Sequence, residues 1–288
     1  MNNVYSPYRY QDSRKRGRLR LVHHMPSSGF DNFIEPWCLD ASLTYELIQR
    51  QPPHHNKQFF LNMEHDTLYL KWLGITGTGA TTIMNRMLEI NDVLSSFIDP
   101  TAQAHSYFTE FTGRLAEMYQ GQMMNEMYAE EVAMLYYYVN KFSPTGFGDR
   151  FSMETGWNNF NRNKIKDLPR QAQILNDCYL SNEKWYDMTD LGLDQSFFFI
   201  DPPSGVDLVQ LREWCEALTS DVMIILPASR TVKEIFAHWN EQYWDLKFSK
   251  KFDIINEVPK MVMLTNYDEM RCGVISPGGK IRYETRPI

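Results

Sequence analysis

The most unusual stretch of the sequence is a strand-like apolar run that ends on a carboxylate and two prolines. Residues 197–205 read FFFIDPPSG. The prolines fix φ and lack amide donors, and Asp201 precedes a proline, so neither strand nor helix continues easily. The carboxylate of Asp201 and the carbonyl of Pro202 can then accept hydrogen bonds from an amino group. This pattern predicts a rigid polar shelf that recognises an exocyclic amine of a base; the alternative is that Asp201 caps the next helix or turn.

Two further acids follow apolar runs of the same kind. Glu35 and Pro36 close the run DNFIEP, and Glu64 comes directly after KQFFLNM at 57–63. In an open parallel sheet, ligands bind beyond the carboxyl ends of the strands. Both acids are therefore candidates for ligand contact, with a plain surface acid as the alternative for Glu64.

The elements that would position these acids alternate between strand and helix in the first and last thirds of the chain. Uninterrupted apolar runs such as FFFI and VMIIL are typical of strands buried on both faces, as in a parallel sheet covered by helices. The sequence therefore predicts an α/β fold with a Rossmann-like sheet. The predicted strands are 31–36, 57–63, 197–200, 221–226 and 260–266, and the predicted helices between them are 40–50, 67–73, 206–218 and 231–243.

The middle of the chain has a different pattern. Residues 82–138 show helical spacing of apolar side chains, and 140–161 is rich in Gly, Asn and aromatic residues, which favours an extended hairpin or loop. The segment TGTGATT at 76–82 lacks the lysine of a phosphate-binding loop, so a threonine-capped helix start is the better interpretation. We predict a core of 1–66 and 170–288 with an inserted, mainly helical lobe of 67–169.

Composition and charge exclude several classes of protein. The net charge is −7, which excludes a uniformly basic nucleic-acid binder, but six basic residues stand between Arg9 and Arg20 against one acid. Such a cluster either meets phosphates or forms a solvated arm. No apolar run reaches the roughly 18 residues of a membrane span, so we expect no membrane contact and a cytoplasmic protein. The four cysteines are scattered, so we expect reduced thiols and no metal site.

Six segments, taken in order, resemble motifs of the DNA adenine methyltransferase (Dam) family. The catalytic motif Asp-Pro-Pro-Tyr is similar to FIDPPS, and the family's Phe-Val-Glu-Pro-Phe strand end is similar to NFIEPW. The remaining similar segments are YRYQDSRKRGRLRLVHHMP, FFLNMEHDTLYLKW, YYYVNKFSPTGFGDRF and KMVMLTNY. Together they extend over nearly the whole chain.

The resemblance implies a fold, an activity and a set of site residues. It implies the methyltransferase fold with S-adenosylmethionine as methyl donor, adenine N6 of double-stranded DNA as substrate, and the inserted lobe as the DNA-recognition region. The implied catalytic residues are Asp201, Pro202, Pro203 and Ser204; the implied cofactor residues are Lys15, Glu35, Pro36 and Glu64; and the implied DNA contacts are Arg14, Arg16, Arg18, Lys141 and Arg150.

The sequence departs from the family pattern at the cofactor seat and at the base. Leu39 and Asp40 stand where the family has glycines that let the backbone approach the cofactor, and Ser204 stands where a tyrosine stacks on the extruded adenine. We therefore expect weak or absent binding of S-adenosylmethionine. Three hypotheses remain open: an active methyltransferase with an atypical pocket, an inactive DNA- or protein-binding subunit, and an enzyme with another donor or a modified base.

Overall fold

A computed structural model of the chain describes residues 5–8, 21–22, 24–26, 30–50, 57–190, 195–245 and 260–267. The sheet has seven strands in the order β3-β2-β1-β4-β5-β7-β6. Their bounds are β1 Asn32–Glu35, β2 Gln58–Asn62, β3 Cys178–Ser181, β4 Ser196–Ile200, β5 Asp221–Pro227, β6 Asn240–Asp245 and β7 Lys260–Thr265.

The centre of the sheet is parallel and the β6–β7 end is antiparallel. β1 pairs in parallel with β2 and with β4, and β4 pairs in parallel with β5. β7 runs antiparallel to both β5 and β6. Every residue of β4 is buried, as the continuous apolar run FFFI predicts for a central strand covered on both faces. The predicted α/β class with a mostly parallel sheet is confirmed.

Ten α-helices accompany these strands in the described residues. Their bounds are α1 Ser42–Arg50, α2 Asp66–Leu73, α3 Gly79–Ser95, α4 Thr101–Gln120, α5 Ala129–Phe142, α6 Met153–Asn159, α7 Arg162–Lys166, α8 Leu168–Gln173, α9 Leu208–Ala217 and α10 Arg230–Ile235. Short 3₁₀ helices cover Glu126–Tyr128, Ile174–Asp177 and Trp185–Asp190.

The chain forms two compact units. The helical unit comprises the described parts of Met1–Ser13, Leu39–Gln49 and Met63–Asn182, and the sheet unit comprises those of Arg14–Cys38, Arg50–Asn62 and Glu183–Ile288. The predicted boundaries of the inserted lobe stay a prediction. The helical unit holds residues 39–49 and 170–182 in addition to the predicted helical stretch.

The helical unit is organised around α5, whose residues are almost all buried. Its rings form a continuous aromatic core: Tyr138 stacks on Phe142 at 4.6 Å between ring centroids and meets Phe111 of α4 edge-on at 5.2 Å. The hydroxyl of Tyr138 donates to the carbonyl of Ala104 at 3.0 Å. A buried tyrosine needs such a partner, so this bond fixes α4 against α5.

The prediction of an extended hairpin or loop over 140–161 holds for residues 143–152, which form a loop, and is wrong at both ends, which are helical. α5 continues to Phe142, and α6 begins at Met153, where the Ser152 hydroxyl accepts from the amide of Thr155 at 3.2 Å. Gly156 lets α6 lie directly on the ring of Phe142, since a Cβ there would fall 2.0 Å from Cδ1 of that ring. The abundance of Gly and Asn therefore reflects close helix packing and capping, and not a hairpin.

Two further predictions on local structure need correction. The predicted helix 231–243 ends at Ile235, and residues 240–245 instead form β6 on the edge of the sheet beside β7. Threonine does not cap α3, because the side chain of Thr78 makes no capping hydrogen bond. The other predicted helices and strands appear within a few residues of their expected bounds.

Candidate functional site

The strongest candidate site in the sheet unit is the point where the strand order reverses. From β1 the chain goes to β2 on one side, whereas β4 and β5 lie on the other side. In doubly wound sheets, ligands bind beyond the carboxyl ends of the strands at this switch point. Glu35 is the last residue of β1, and Asp201 directly follows β4. Two of the predicted site residues therefore flank the topological switch point.

The register of β1 and β4 puts these two acids on the same side of the sheet. Phe33 pairs with Phe197 and Ile34 with Phe198, so Glu35 is level with Phe199. Side chains alternate between faces along a strand, and the ring of Phe33 contacts the rings of both Phe197 and Phe199. Asp201 is two residues after Phe199, so the same alternation assigns its side chain to the face of Glu35. At roughly 3.3 Å per residue, Asp201 lies about 7 Å beyond Glu35 along the strand direction.

The shelf after β4 is graded from half-buried to exposed. Asp201 and Pro202 are half-buried, and Pro203 and Ser204 are exposed, whereas Glu35 and Pro36 are buried. Glu35 is only 5% exposed. The residues of the predicted shelf therefore become more exposed towards Ser204, whereas Glu35 at the end of β1 is buried.

Asp201 is not the cap of the following helix. α9 begins at Leu208, and the carboxylate of Asp207 accepts from the amides of Val209 and Gln210 at 2.9 and 3.1 Å. Gly205 turns the chain with a φ of +93°, a conformation that favours glycine. Capping is thus supplied by Asp207, which leaves the helix-capping alternative for Asp201 without support.

Three tryptophans that are distant in sequence form a cluster in the sheet unit, and sequence analysis did not predict it. Trp37 packs on Trp185 at 4.9 Å between ring centroids, and Trp185 meets Trp214 edge-on at 5.0 Å. The indole N–H groups of Trp37 and Trp214 are buried, with no hydrogen-bond partner among the described residues. A buried unpaired donor costs about 1–3 kcal/mol. The one sequence signal was the position of Trp37 directly after Glu35-Pro36.

The turn where the family pattern has glycines belongs to the helical unit. Leu39 is half-buried and its carbonyl accepts from Nζ of Lys71 at 3.1 Å. The carboxylate of Asp40 is buried and accepts from the amide of Ser42, the first residue of α1, at 3.0 Å. Ala41 has a φ of +50°. This left-handed conformation is unfavourable for a residue that has a Cβ atom, whereas glycine adopts it without that penalty. The backbone thus makes a glycine-like turn without a glycine.

Lys71 in the helical unit was not predicted as a special residue. Its side chain is fully buried, and its Nζ lies 4.6 Å from the ring centroid of Tyr8, 5.1 Å from Trp72 and 5.3 Å from Tyr136. Ring faces attract a cation electrostatically, which offsets part of the cost of burying the ammonium. The hydroxyl of Tyr8 donates to the carbonyl of Lys71 at 3.0 Å. This cage attaches residues 5–8 to α2 and α5.

The remaining predicted site residues lie in the helical unit or outside the described residues. Glu64 is half-buried in the helical unit and Arg150 is exposed there. Lys141 is only 7% exposed; its Nζ donates to the carbonyl of Pro7 and lies 4.6 Å from the ring centroid of Tyr137. An ammonium held in this way is not free to contact a surface phosphate, so Lys141 does not enter the interface proposed below. Four predicted residues lie outside the described residues: Arg14, Lys15, Arg16 and Arg18.

A loop that follows α5 is held by side-chain hydrogen bonds. Within Ser143–Asp149, here termed the GFG loop, the Ser143 hydroxyl donates to the Asp149 carboxylate at 2.8 Å and accepts from the Gly148 amide at 3.1 Å. Asn140 donates to the carbonyl of Gly146 at 2.8 Å. Phe147, at the tip of the loop, remains 48% exposed. The network therefore presents an aromatic ring to solvent on a fixed backbone.

Comparisons with known proteins give no relative from which a function can be transferred. No family model matches the chain, and no curated protein sequence matches it significantly. Across the described residues, no helix has the length and apolar character needed to cross a membrane, and no group of three or more His, Cys, Asp or Glu residues could hold a metal ion. The resemblance to DNA adenine methyltransferases is accordingly carried forward as a proposal.

Proposed function

We propose that this protein is a Dam-like DNA-modification protein, a DNA (adenine-N6) methyltransferase that acts at the carboxyl edge of its sheet. The observation that carries this proposal is the position of Asp201-Pro202-Pro203 directly after central strand β4, beside the strand that Glu35 ends. Ligand sites of doubly wound sheets lie at such a switch point. Function is thus assigned from the site and the resemblance together, because the fold alone does not define it.

The strand order supports the finer fold assignment. The methyltransferase fold that the resemblance implies has a sheet in which an antiparallel seventh strand is inserted between the fifth and the sixth. The order β3-β2-β1-β4-β5-β7-β6, with β7 antiparallel to both neighbours, agrees with that arrangement. A Rossmann-like sheet of the methyltransferase type is therefore part of the proposal.

Each residue of the shelf has a role in the proposed reaction. The carboxylate of Asp201 and the carbonyl of Pro202 accept hydrogen bonds from the adenine amino group, which orients the nitrogen lone pair towards the methyl donor. The two prolines keep these acceptors in place because they fix the backbone. S-adenosylmethionine, when bound, supplies a methyl group on a positively charged sulfur. By the resemblance, the buried carboxylate of Glu35 would hold the amino-acid end of this cofactor, and Glu64 would hold its ribose hydroxyls.

Double-stranded DNA is the proposed partner. Arg150 is exposed and available to a phosphate, and the basic cluster of Arg14, Lys15, Arg16 and Arg18 supplies the further positive charge. Phosphate contacts of this kind release counterions, so affinity falls steeply with salt concentration. Because the net charge of the chain is −7, the rest of its surface repels DNA, and we expect binding only at these basic positions.

A second function is favoured by three features of the chain. The turn Leu39–Asp40–Ala41 has no glycine, its aspartate is used as a cap, and Ser204 offers no ring to stack on a base. This combination fits a methyltransferase-fold subunit that binds DNA or a protein partner without transferring a methyl group. An enzyme that uses another donor or a modified base is the third alternative.

Calorimetry with S-adenosylmethionine distinguishes the first function from the second. Methyltransferase function predicts saturable but weak binding, with a Kd in about the upper micromolar to millimolar range because side chains replace glycines at the cofactor seat. Glu35→Gln should weaken this binding at least about tenfold, since a hydrogen-bonded charge is lost. The exposed Glu183→Gln is the matched control and should bind as the wild type does. Absence of any binding to the folded wild type contradicts the first function.

A further inference from the structure

The helical unit contains a cavity that the proposed reaction does not use. Its volume is about 500 Å³, and it lies between the start of α2, the second half of α4, α5 and the GFG loop. Small-molecule sites have volumes of roughly 300–1,000 Å³. Its lining includes His65, Thr112, Ala116, Tyr119, Tyr136 and Phe147.

The lining has the character of a site for a neutral ring. It is mostly apolar and carries no aspartate, glutamate, lysine or arginine, so an inserted charge would find no compensation there. Two aromatic side chains stand at the cavity with much of their surface exposed, Phe147 at 48% and Tyr119 at 62%. A planar group can therefore stack on a ring while its edge remains accessible.

A few polar groups are placed to read the edge of such a ring. Within the described residues, the imidazole of His65 and the hydroxyl of Tyr119 make no hydrogen bond to another residue. The hydroxyls of Thr112 and Tyr136, by contrast, already donate to the carbonyls of Phe108 and Gly146, at 2.8 and 3.3 Å. The first two groups are thus available to a ligand, and the second two fix the walls.

The backbone of the GFG loop defines one wall of the cavity. Gly148 has a φ of +83°, and a Cβ at this position would fall 2.6 Å from Cγ1 of Val139 on α5. The loop can therefore approach α5 this closely only with glycine, and the approach fixes Phe147 beside the cavity. A ring that is already ordered loses little further freedom when a ligand stacks on it.

We propose that this cavity binds an unpaired nucleobase of DNA, stacked on Phe147, at a position separate from the Asp201 shelf. A nucleobase is a neutral planar ring with donors and acceptors along its edge, which matches an uncharged apolar lining with an imidazole and a hydroxyl. This inference rests on the proposed DNA-modifying function. It adds a second base-binding position, in the helical unit, which neither the sequence motifs nor the shelf assigns.

The test uses a single-stranded deoxyoligonucleotide of about twelve nucleotides, a length within the range covered by one binding site. Affinity is measured by fluorescence anisotropy for the full chain. Phe147→Ala should weaken binding about ten- to a hundredfold, the contribution of one stacked base. Ala116 is exposed and lines the cavity, so Ala116→Trp should fill the cavity and weaken oligonucleotide binding by a similar factor. The matched control is Phe97→Ala: this ring is also 48% exposed but does not line the cavity, so affinity should stay within about twofold.

Three arms separate failure of this inference from failure of the proposed function. The same variants are titrated with duplex DNA and with adenosine. Unchanged single-strand affinity in both Phe147→Ala and Ala116→Trp, with duplex binding intact, refutes the cavity and leaves the function standing. Adenosine binding that depends on Phe147, with no binding to any DNA, refutes the proposed function and also DNA as the ligand of the cavity. A wild type that binds neither DNA nor adenosine refutes both.

Discussion

Asp149 illustrates how a single exposed carboxylate can stabilise the conformation of a loop. The pKa of Asp149 lies below its ordinary value of 3.8, chiefly because the hydroxyl of Thr145 donates to the carboxylate and also because that of Ser143 does. Hydrogen bonds to the ionised form favour that form. The charge of Asp149 thus stabilises the GFG loop whenever the carboxyl group is ionised.

This arrangement predicts a stability difference that disappears in acid. Asp149→Ala should lower the melting temperature by about 1–3 °C near neutral pH, a small effect because the site is solvent-exposed. A depressed pKa contributes stability above the ordinary value of 3.8, and that contribution is lost as the pH falls through the folded-state pKa below it. Melting curves of both proteins across the acid range measure the difference. A difference that persists unchanged at the lowest pH would contradict this account.

At the residue scale, the sequence predicts acids that end strands better than it predicts buried cations. Glu35 and Asp201 could be placed because an apolar run followed by an acid and a proline marks a strand end, and parallel strands align their ends. Lys71 could not, because nothing local indicates that Tyr8 and Tyr136, both distant in sequence, will join the adjacent Trp72 around it. Lys141 was assigned to the surface for the same reason, although its ammonium is satisfied by Pro7 and Tyr137.

At the element scale, the close packing of the GFG loop on α5 gives a test with an internal control. Gly148→Ala should destabilise the protein by about 2 kcal/mol or more, because a positive φ and a short contact with Val139 oppose the new Cβ. Gly113→Ala, inside α4 with no atom within 4 Å of the new Cβ, should stabilise it by about 0.5–1 kcal/mol. Urea unfolding of both variants measures the opposite signs. Equal effects would show that the loop does not press on α5.

Helices and strands in the core were predictable where the spacing of apolar residues and the length of the segment indicated the same element. The apolar run of β4 and the cap residue Asp207 before α9 illustrate signals that are local and physical. β6 was missed because its residues NEQYWD have no apolar alternation, and pairing with β7 at the sheet edge decides their conformation. The helix over 153–159 was missed because Gly156 is a weak helix former. The glycine is needed because the helix packs directly on the ring of Phe142.

At the scale of the whole molecule, the strand order carries more functional meaning than any single motif. It creates a switch point between β1 and β4, and the two acids predicted from strand ends lie there. Sequence patterns predict strands but not their neighbours, so this order could not have been read directly from the chain. The cavity of the helical unit was equally hidden, since its lining residues come from segments as far apart as 65–68 and 147–148.

Transfer of a labelled methyl group tests the central claim most directly. The protein is incubated with double-stranded DNA and methyl-labelled S-adenosylmethionine, and the nucleosides are then analysed for N6-methyladenine. We predict label at adenine N6 for the wild type and for Asp207→Asn, because asparagine caps a helix about as well as aspartate. Asp201→Asn should abolish the transfer while the protein stays folded and bound to DNA. No transfer by a folded, DNA-bound wild type, or equal transfer by Asp201→Asn, would contradict the assignment of catalysis to the Asp201 shelf.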